Sequence, residues 1–211
     1  MNIEMMNNPI LCLVTNGKRT SGRDLGFIVN EAISGGVNMI QFRDKDATEP
    51  EKLKMARNLR ELAKDRAAFI VNGDVDLAKE IGADGIHFPE RQIFDGPIDN
   101  LKENFLIGKS VHSFESAAKA TSEGMNYLMI GTIFPSASHP NGPVSGTGII
   151  EESHRNIPIP IIGIGGITEA NCLQVMKAGA AGIAVIGAIS EADSPKRAAH
   201  DILEALESSK V

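Results

Sequence analysis

Residues 69–88, FIVNGDVDLAKEIGADGIHF, contain a complete strand–helix–strand pattern. An apolar run ends at Asn72, Asp74 stands at a helix N-cap position, and apolar residues then recur at helical spacing. The glycines of GADG (82–85) are typical of a helix end, and a second apolar run follows them. Because neither run alternates with polar residues, we expect two parallel strands that are buried on both faces.

The same alternation of strand and helix extends along the whole chain. Eight short apolar runs are predicted to be strands: 10–15, 37–42, 68–72, 85–88, 105–111, 127–131, 159–164 and 182–186. Helical periodicity is found in six segments: 21–34, 49–63, 74–81, 113–122, 168–178 and 195–206. Ser113 and Thr168, like Asp74, are expected to cap their helices. The connections after the fourth and sixth strands show a poorer pattern, so we expect them to be short or irregular.

Eight strand–helix units in 211 residues predict one α/β domain over residues 1–211, a (β/α)8 barrel. The alternative is a doubly wound open sheet, in which a glycine-rich phosphate loop normally follows the first strand. Here the corresponding segment, VTNGKRTSG (14–22), has no GxGxxG pattern, which favours the barrel. The AGAAG segment (178–182) repeats the glycine turn of GADG at an equivalent helix-to-strand junction.

Composition excludes several classes of partner. The formal net charge of −6 disfavours nucleic-acid binding, which normally requires clustered Lys and Arg. No apolar stretch approaches the roughly 18 residues of a membrane span.

Residues 1–8 lack the features of a signal peptide, so a cytoplasmic location is expected. Cys12 and Cys172 have no metal-ligand spacing and are expected to be buried thiols.

Two glycine-containing segments are candidates for phosphate binding. In a (β/α)8 barrel the active site lies at the carboxyl ends of the strands, and phosphate commonly binds the loops after strands seven and eight. GIGGIT (163–168) and VIGAI (185–189) fall at these two positions and offer backbone N–H groups near helix starts. The alternative is that these glycines only permit tight turns and close packing.

The QFRDK segment (41–45) is a candidate for a second anion-binding group. Strand alternation places Arg43 and Lys45 on the same side of the chain at the end of strand two. The alternative is a solvated strand end, in which these cations pair with Asp44 or Asp46.

Two of the five histidines lie near predicted strand ends. His112 should face the mouth of the barrel, where its pKa near operating pH suits proton transfer, although a packing or capping role remains open. His87 is expected to be a core histidine.

For magnesium, Glu90 is the one carboxylate directly at the strand ends and Asp74 is expected to be a cap, so a cation site is disfavoured. The absence of GxSxG likewise disfavours a nucleophilic serine.

These segments together resemble the thiamine phosphate synthase superfamily, which includes the TenI-type thiazole tautomerases. The resemblance spans nearly the whole chain. It rests on six segments: QFRDK, FIVNGDVDLAKEIGADGIHF, IGKSVHSFESA, GTIFPSASHPNG, IPIPIIGIGGIT and AGAAGIAVIGAI.

The resemblance implies one of two activities. A synthase joins a pyrimidine pyrophosphate to a thiazole phosphate and holds magnesium with two aspartates; Gly73 and Gln92 occupy those positions here, and His139 replaces a pyrophosphate-binding lysine. SVHS (110–113) and VNGDVD (71–76) match the tautomerase branch instead. The expected function is therefore a metal-independent tautomerase, with His112 aromatising a thiazole carboxylate phosphate by acid–base proton transfer. No cofactor is expected, and magnesium only if the chain is a synthase.

The resemblance also assigns site residues. Backbone N–H groups of Gly165, Gly166, Ile186 and Gly187 are expected to bind phosphate. Residues expected to face the rest of the substrate are Gln41, Arg43, Lys45, Asn72, Ser110, Ser136, Ser138 and His139. Three alternatives remain open: a synthase with altered magnesium ligands, a non-catalytic protein that binds thiamin intermediates, and an isomerase of another phosphorylated molecule. Barrels of this kind often form homodimers, and the sequence leaves that state open.

Overall fold

The computed structural model describes residues 9–44, 46–94, 96–137 and 142–208. Eight parallel strands form a closed barrel in sequential order, in which β1 pairs with both β2 and β8. This is the expected (β/α)8 barrel. The strands are β1 Ile10–Val14, β2 Met39–Phe42, β3 Ala68–Asn72, β4 Gly85–Phe88, β5 Leu106–Val111, β6 Tyr127–Ile130, β7 Ile161–Ile164 and β8 Gly182–Val185.

Helices cover the outside of the barrel between the strands. They are α1 Leu25–Ser34, α2 Glu49–Ala63, α3 Val75–Ile81, α4 Ile98–Lys102, α5 Phe114–Ser122, α6 Gly148–Asn156, α7 Cys172–Lys177, α8 Gly187–Ser190 and α9 Pro195–Glu207. In the part of the chain that the structure describes, no helix is both long and apolar enough to cross a bilayer.

The apolar residues form two separate clusters, one on each face of the sheet. Cys12, Ile70, Tyr127 and Ile162 belong to the smaller cluster, which fills the interior of the barrel. Their strand neighbours point outward and pack against the helices in the larger cluster. Burial on both faces explains why the strands are apolar without alternation. Cys12 and Cys172 are both buried free thiols, as expected.

The predicted strands are all present, and helix caps explain most differences at helix ends. Leu77 N–H donates to Asp74 Oδ1 at 2.9 Å and Ser116 N–H donates to Ser113 Oγ at 3.1 Å, so two predicted caps are confirmed. Thr168 is not a cap: α7 begins at Cys172, and Asn171 is its N-cap residue.

Three further differences concern helices. The predicted start of α1 at residue 21 is wrong, because Ser21 and Gly22 have positive φ values of 51° and 75°, and Asp24 caps the helix instead. The connection after β4 contains only the five-residue α4, as expected of a poor pattern. The connection after β6 contains α6, a regular helix of nine residues, contrary to expectation.

Candidate active site

A cavity of about 710 Å³ opens at the carboxyl ends of the strands. Its walls come from the ends of seven strands and from the loops that follow them. The predicted site residues that the structure describes all line this cavity: Gln41, Arg43, Asn72, Ser110, His112, Ser136, Gly165, Gly166, Ile186 and Gly187. Lys45, Ser138 and His139 lie outside the described residues.

The loop after β7 forms one end of the cavity. Gly165 and Gly166 have φ values of 104° and 64°, which side-chain-bearing residues rarely adopt. A β-carbon on Gly166 would lie less than 3.0 Å from the carbonyl oxygens of Phe134 and Pro135. These glycines therefore serve the tight turn and the close packing of the loop after β6. The same turn places backbone N–H groups at the cavity wall, so the two interpretations of the segment are compatible.

Arg43 directly follows β2 and brings positive charge to the cavity. Its N–H donates to Thr15 Oγ1 at 2.9 Å, and Thr15 Oγ1 donates back to the Arg43 carbonyl at 3.1 Å. Within residues 9–44, 46–94, 96–137 and 142–208, the guanidinium makes no ion pair with Asp44 or Asp46. Burial lowers the pKa of Arg43, but a guanidinium remains protonated near neutral pH. This arrangement fits an anion-binding cation better than a solvated strand end.

Gln41 brings a polar group with an unmet hydrogen bond to the same region. The residue is 2% exposed, and its Oε1 atom has no hydrogen-bond partner among the described residues. A buried acceptor without a partner is costly, by about 1–3 kcal/mol. A hydrogen-bond donor on a ligand would remove this cost.

Ser110 is held from inside the barrel by a chain of buried side chains. His87 Nε2 lies 2.8 Å from Ser110 Oγ, and His87 Nδ1 lies 3.1 Å from the Tyr127 hydroxyl. Burial lowers the pKa of His87 to about 3, so the ring is neutral. One ring nitrogen then donates and the other accepts. His87 is thus the core histidine that the sequence predicts, and it fixes the position of Ser110.

His112 lies at the cavity wall directly after β5. Its Nδ1 atom contacts the carbonyl oxygen of Gly131, which can only accept a hydrogen bond, so Nδ1 carries the hydrogen. The His112 backbone N–H donates to Glu90 Oε1 at 3.1 Å and to Ser116 Oγ at 3.2 Å. The ring orientation is therefore set by the residue after β6, and the backbone is held by the loop after β4 and by α5.

The residues present do not fit a magnesium site built from two carboxylates. Gly73 has no side chain, and Gln92 Nε2 donates to the Gly73 carbonyl at 2.6 Å. The two acidic groups described near these strand ends already accept hydrogen bonds: Asp74 caps α3, and Glu90 accepts from His112 N–H. In the described part of the chain, the one metal-capable cluster of acidic and histidine side chains is His200, Asp201 and Glu204 on α9, away from the cavity.

Sequence reasoning missed two charged residues that line the cavity. Arg19 lies in the β1–α1 loop, Glu191 follows α8, and the two form an ion pair. They are 172 residues apart, and neither belongs to a recognisable motif. The one feature that could have brought these two residues together from the sequence is the predicted closure of the barrel, which places β1 beside β8.

Fold and site together define a class: a (β/α)8 barrel whose cavity at the carboxyl ends of the strands combines a glycine-rich end with a half-buried arginine. Residues 11–189 match the family model described as "Thiamine monophosphate synthase". The chain belongs to this enzyme family.

Individual relatives agree with the family. The chain is 37% identical to a protein of Haloarcula marismortui named thiamine-phosphate synthase, over 92% of this chain and 95% of the relative. It is 44% identical to a Listeria monocytogenes protein of the same name, over 79% and 82% of the two chains. The solved thiamine phosphate pyrophosphorylase of Pyrococcus furiosus has a TM-score of 0.86 and 30% identity, over 96% of this chain and 98% of that one.

These relatives correct the expected activity. The prediction of a thiazole tautomerase is wrong, because similar proteins over most of the chain are named thiamine-phosphate synthases. That prediction depended on a few positions around His112 and Gly73. A histidine with its Nδ1 bonded to a carbonyl is compatible with either activity, so it does not separate the two branches.

Proposed function

We propose that the protein is a thiamine-phosphate synthase, a transferase that joins a pyrimidine pyrophosphate to a thiazole phosphate and releases pyrophosphate. The observation that carries the proposal is the likeness to synthases over most of the chain. The cavity supports it, because about 710 Å³ is of the size that binds small ligands and both of its ends suit anions.

The two ends are assigned to the two substrates. The glycine end, with Gly165, Gly166 and Gly187, binds the thiazole phosphate through backbone N–H groups. Arg43 lies toward the pyrophosphate of the other substrate, and the unpartnered oxygen of Gln41 accepts a hydrogen bond from its ring portion. Ser110, His112 and Asn72 line the same cavity.

The chain's own residues perform binding, orientation and charge balance. Joining the substrates forms a bond from the pyrimidine-bearing carbon to the thiazole nitrogen and breaks the bond from that carbon to the pyrophosphate oxygen. Negative charge then collects on the leaving pyrophosphate, and the Arg43 guanidinium stabilises it. Gly73 and Gln92 supply no carboxylate there, so no step is assigned to a metal.

A coupling assay tests the proposal. Purified protein is mixed with the two phosphorylated substrates, and released pyrophosphate and thiamine phosphate are measured together, with magnesium and with EDTA. In each buffer, we expect the amount of released pyrophosphate to equal the amount of thiamine phosphate formed. A protein that binds both substrates but forms neither product would contradict the proposal.

A second candidate is a non-catalytic protein that binds thiamin intermediates. It is favoured by one observation: the Gly73–Gln92 contact occupies the positions where the family's magnesium ligands are expected. Binding of both substrates without product in either buffer is the result that this candidate predicts.

A further inference from the structure

We infer that Arg19 is an additional phosphate-binding residue and that Glu191 competes with bound phosphate for it. The inference rests on the proposed function in one respect, the position of the thiazole phosphate beside Gly187. It concerns two residues, Arg19 and Glu191, that the sequence motifs do not assign to the site.

Arg19 and Glu191 form a two-point ion pair at the cavity wall. Arg19 Nε donates to Glu191 Oε1 at 2.7 Å and Nη2 donates to Oε2 at 2.5 Å. The Arg19 side chain is 20% exposed and that of Glu191 is 40% exposed. Both residues line the same cavity as the proposed substrate-binding groups.

The ion pair lies directly over Gly187. A β-carbon at this position would be less than 3.0 Å from Arg19 Nη2 and from Glu191 Oε2. With the two side chains in these positions there is no room for a β-carbon, and no side chain separates the guanidinium from the Gly187 backbone. A phosphate group bound at Gly187 N–H lies within reach of the same guanidinium.

Electrostatics predicts that Arg19 strengthens phosphate binding and that Glu191 weakens it. The planar guanidinium binds phosphate and carboxylate in the same two-point geometry, so the two anions are alternatives. The hydrogen bond from Arg19 lowers the pKa of Glu191, so Arg19 favours the charged carboxylate. Without phosphate, Glu191 holds Arg19 over the site. With phosphate, Arg19 turns to the ligand, and the half-exposed Glu191 regains water.

A purely structural ion pair would behave differently. Such a pair would only tie the β1–α1 loop to the end of α8, so loss of either partner would loosen the site in the same direction. Competition predicts opposite effects: removing Arg19 weakens phosphate binding, whereas removing the charge of Glu191 strengthens it. The sign of the Glu191 effect therefore separates the two explanations.

The test is a calorimetric titration with inorganic phosphate and with the thiazole phosphate, using Arg19→Gln and Glu191→Gln. Lys18→Gln and Glu204→Gln make the same charge changes and serve as controls: Lys18 is adjacent in sequence but pairs with Asp46 at 2.8 Å, and neither control residue lines the cavity. We expect Arg19→Gln to raise Kd about tenfold or more and Glu191→Gln to lower it several-fold. Both controls should stay within about twofold of wild type.

Three results would overturn the inference: weaker binding in both variants, no change in Arg19→Gln, or no phosphate binding by the wild type. The proposed function fails separately. If coupling is absent while the two variants still shift phosphate affinity in opposite directions, the synthase proposal fails and the role of Arg19 stands. If coupling proceeds but Arg19→Gln binds phosphate normally, only the role of Arg19 fails.

Discussion

The side-chain amide of Gln92 donates a hydrogen bond to the backbone carbonyl of Gly73 at 2.6 Å, joining the loops after β3 and β4. Gly73 has a φ of +77°, and a β-carbon there would lie 2.9 Å from Gln92 Oε1. Two features thus favour glycine at this position, the left-handed backbone and the close approach of Gln92.

These two features predict the cost of restoring a carboxylate. We expect Gly73→Asp to lower the free energy of unfolding by about 1–2 kcal/mol from the backbone, plus a further loss from the Gln92 contact. Gly82→Asp is a matched control, since Gly82 has a φ of +61° but nothing within 4 Å of its β-carbon position. Urea unfolding should show a larger loss for Gly73→Asp than for Gly82→Asp. Equal losses would mean that the Gln92 contact is unimportant.

Arg43 should determine affinity for the pyrophosphate substrate. Replacing it with alanine removes a charge-assisted contact of about 1.5–3 kcal/mol, which corresponds to a roughly 10- to 150-fold rise in KM for the pyrimidine pyrophosphate. The KM for the thiazole phosphate should change little. Steady-state kinetics with each substrate varied in turn measure both effects. Arg57→Ala is the control, because Arg57 forms an exposed ion pair with Glu80. An equal effect on both substrates would contradict the assignment of the two ends.

His87 should make stability depend on pH. Its pKa is about 3 in the folded protein and near 6.5 in an unfolded chain, so below pH 6.5 the unfolded state binds a proton that the folded state does not. The stability contributed by neutral His87 is therefore complete above pH 6.5 and is lost progressively as pH falls toward 3. The loss approaches about 1.4 kcal/mol per pH unit.

Urea unfolding at pH 7.5, 6.0 and 5.0 measures this loss. His87→Gln removes the titrating group, so its curve should be flatter over this range than that of wild type. His200→Gln, which changes an exposed histidine, should keep the wild-type slope. Identical slopes in all three proteins would show that burial does not hold His87 neutral.

The fold was predictable because its determinants are local. Runs such as 68–72 and 85–88 are buried on both faces, and this burial leaves the same apolar pattern in every strand. The start of α7 was missed because Thr168 and Asn171 are both good caps, and the loop geometry after Gly166 decides between them. The ion pair of Arg19 and Glu191 depends on barrel closure, and neither residue lies in a sequence pattern that predicts the contact.

The activity was harder to predict than the site. Placing Gln41, Arg43 and His112 at the cavity follows from where each strand ends, a property of the fold. The choice between synthase and tautomerase depended on few positions, chiefly Gly73 and Gln92. These two residues form a single contact with each other, and one contact does not determine which reaction the protein catalyses. Likeness over most of the chain to synthases overturned that choice.

Gly108 should be needed for the buried network behind Ser110. A β-carbon at Gly108 would lie less than 3.0 Å from three ring atoms of Tyr127, whose hydroxyl contacts His87. We expect Gly108→Ala to lower the free energy of unfolding by about 1–3 kcal/mol through overpacking. Gly148→Ala is the control, because nothing lies within 4 Å of its β-carbon position at the start of α6. Chemical unfolding that shows no difference between the two variants would contradict this packing.

The coupling reaction is the most direct test of whether this protein is a thiamine-phosphate synthase. Purified wild-type protein is incubated with the pyrimidine pyrophosphate and the thiazole phosphate, once with magnesium and once with EDTA, beside Arg43→Ala and Arg57→Ala. We expect wild type and Arg57→Ala to release pyrophosphate and to form an equal amount of thiamine phosphate in both buffers, while Arg43→Ala is strongly impaired. Absence of product in both buffers would contradict the proposed synthase, and product with magnesium alone would contradict catalysis by the chain's own cations.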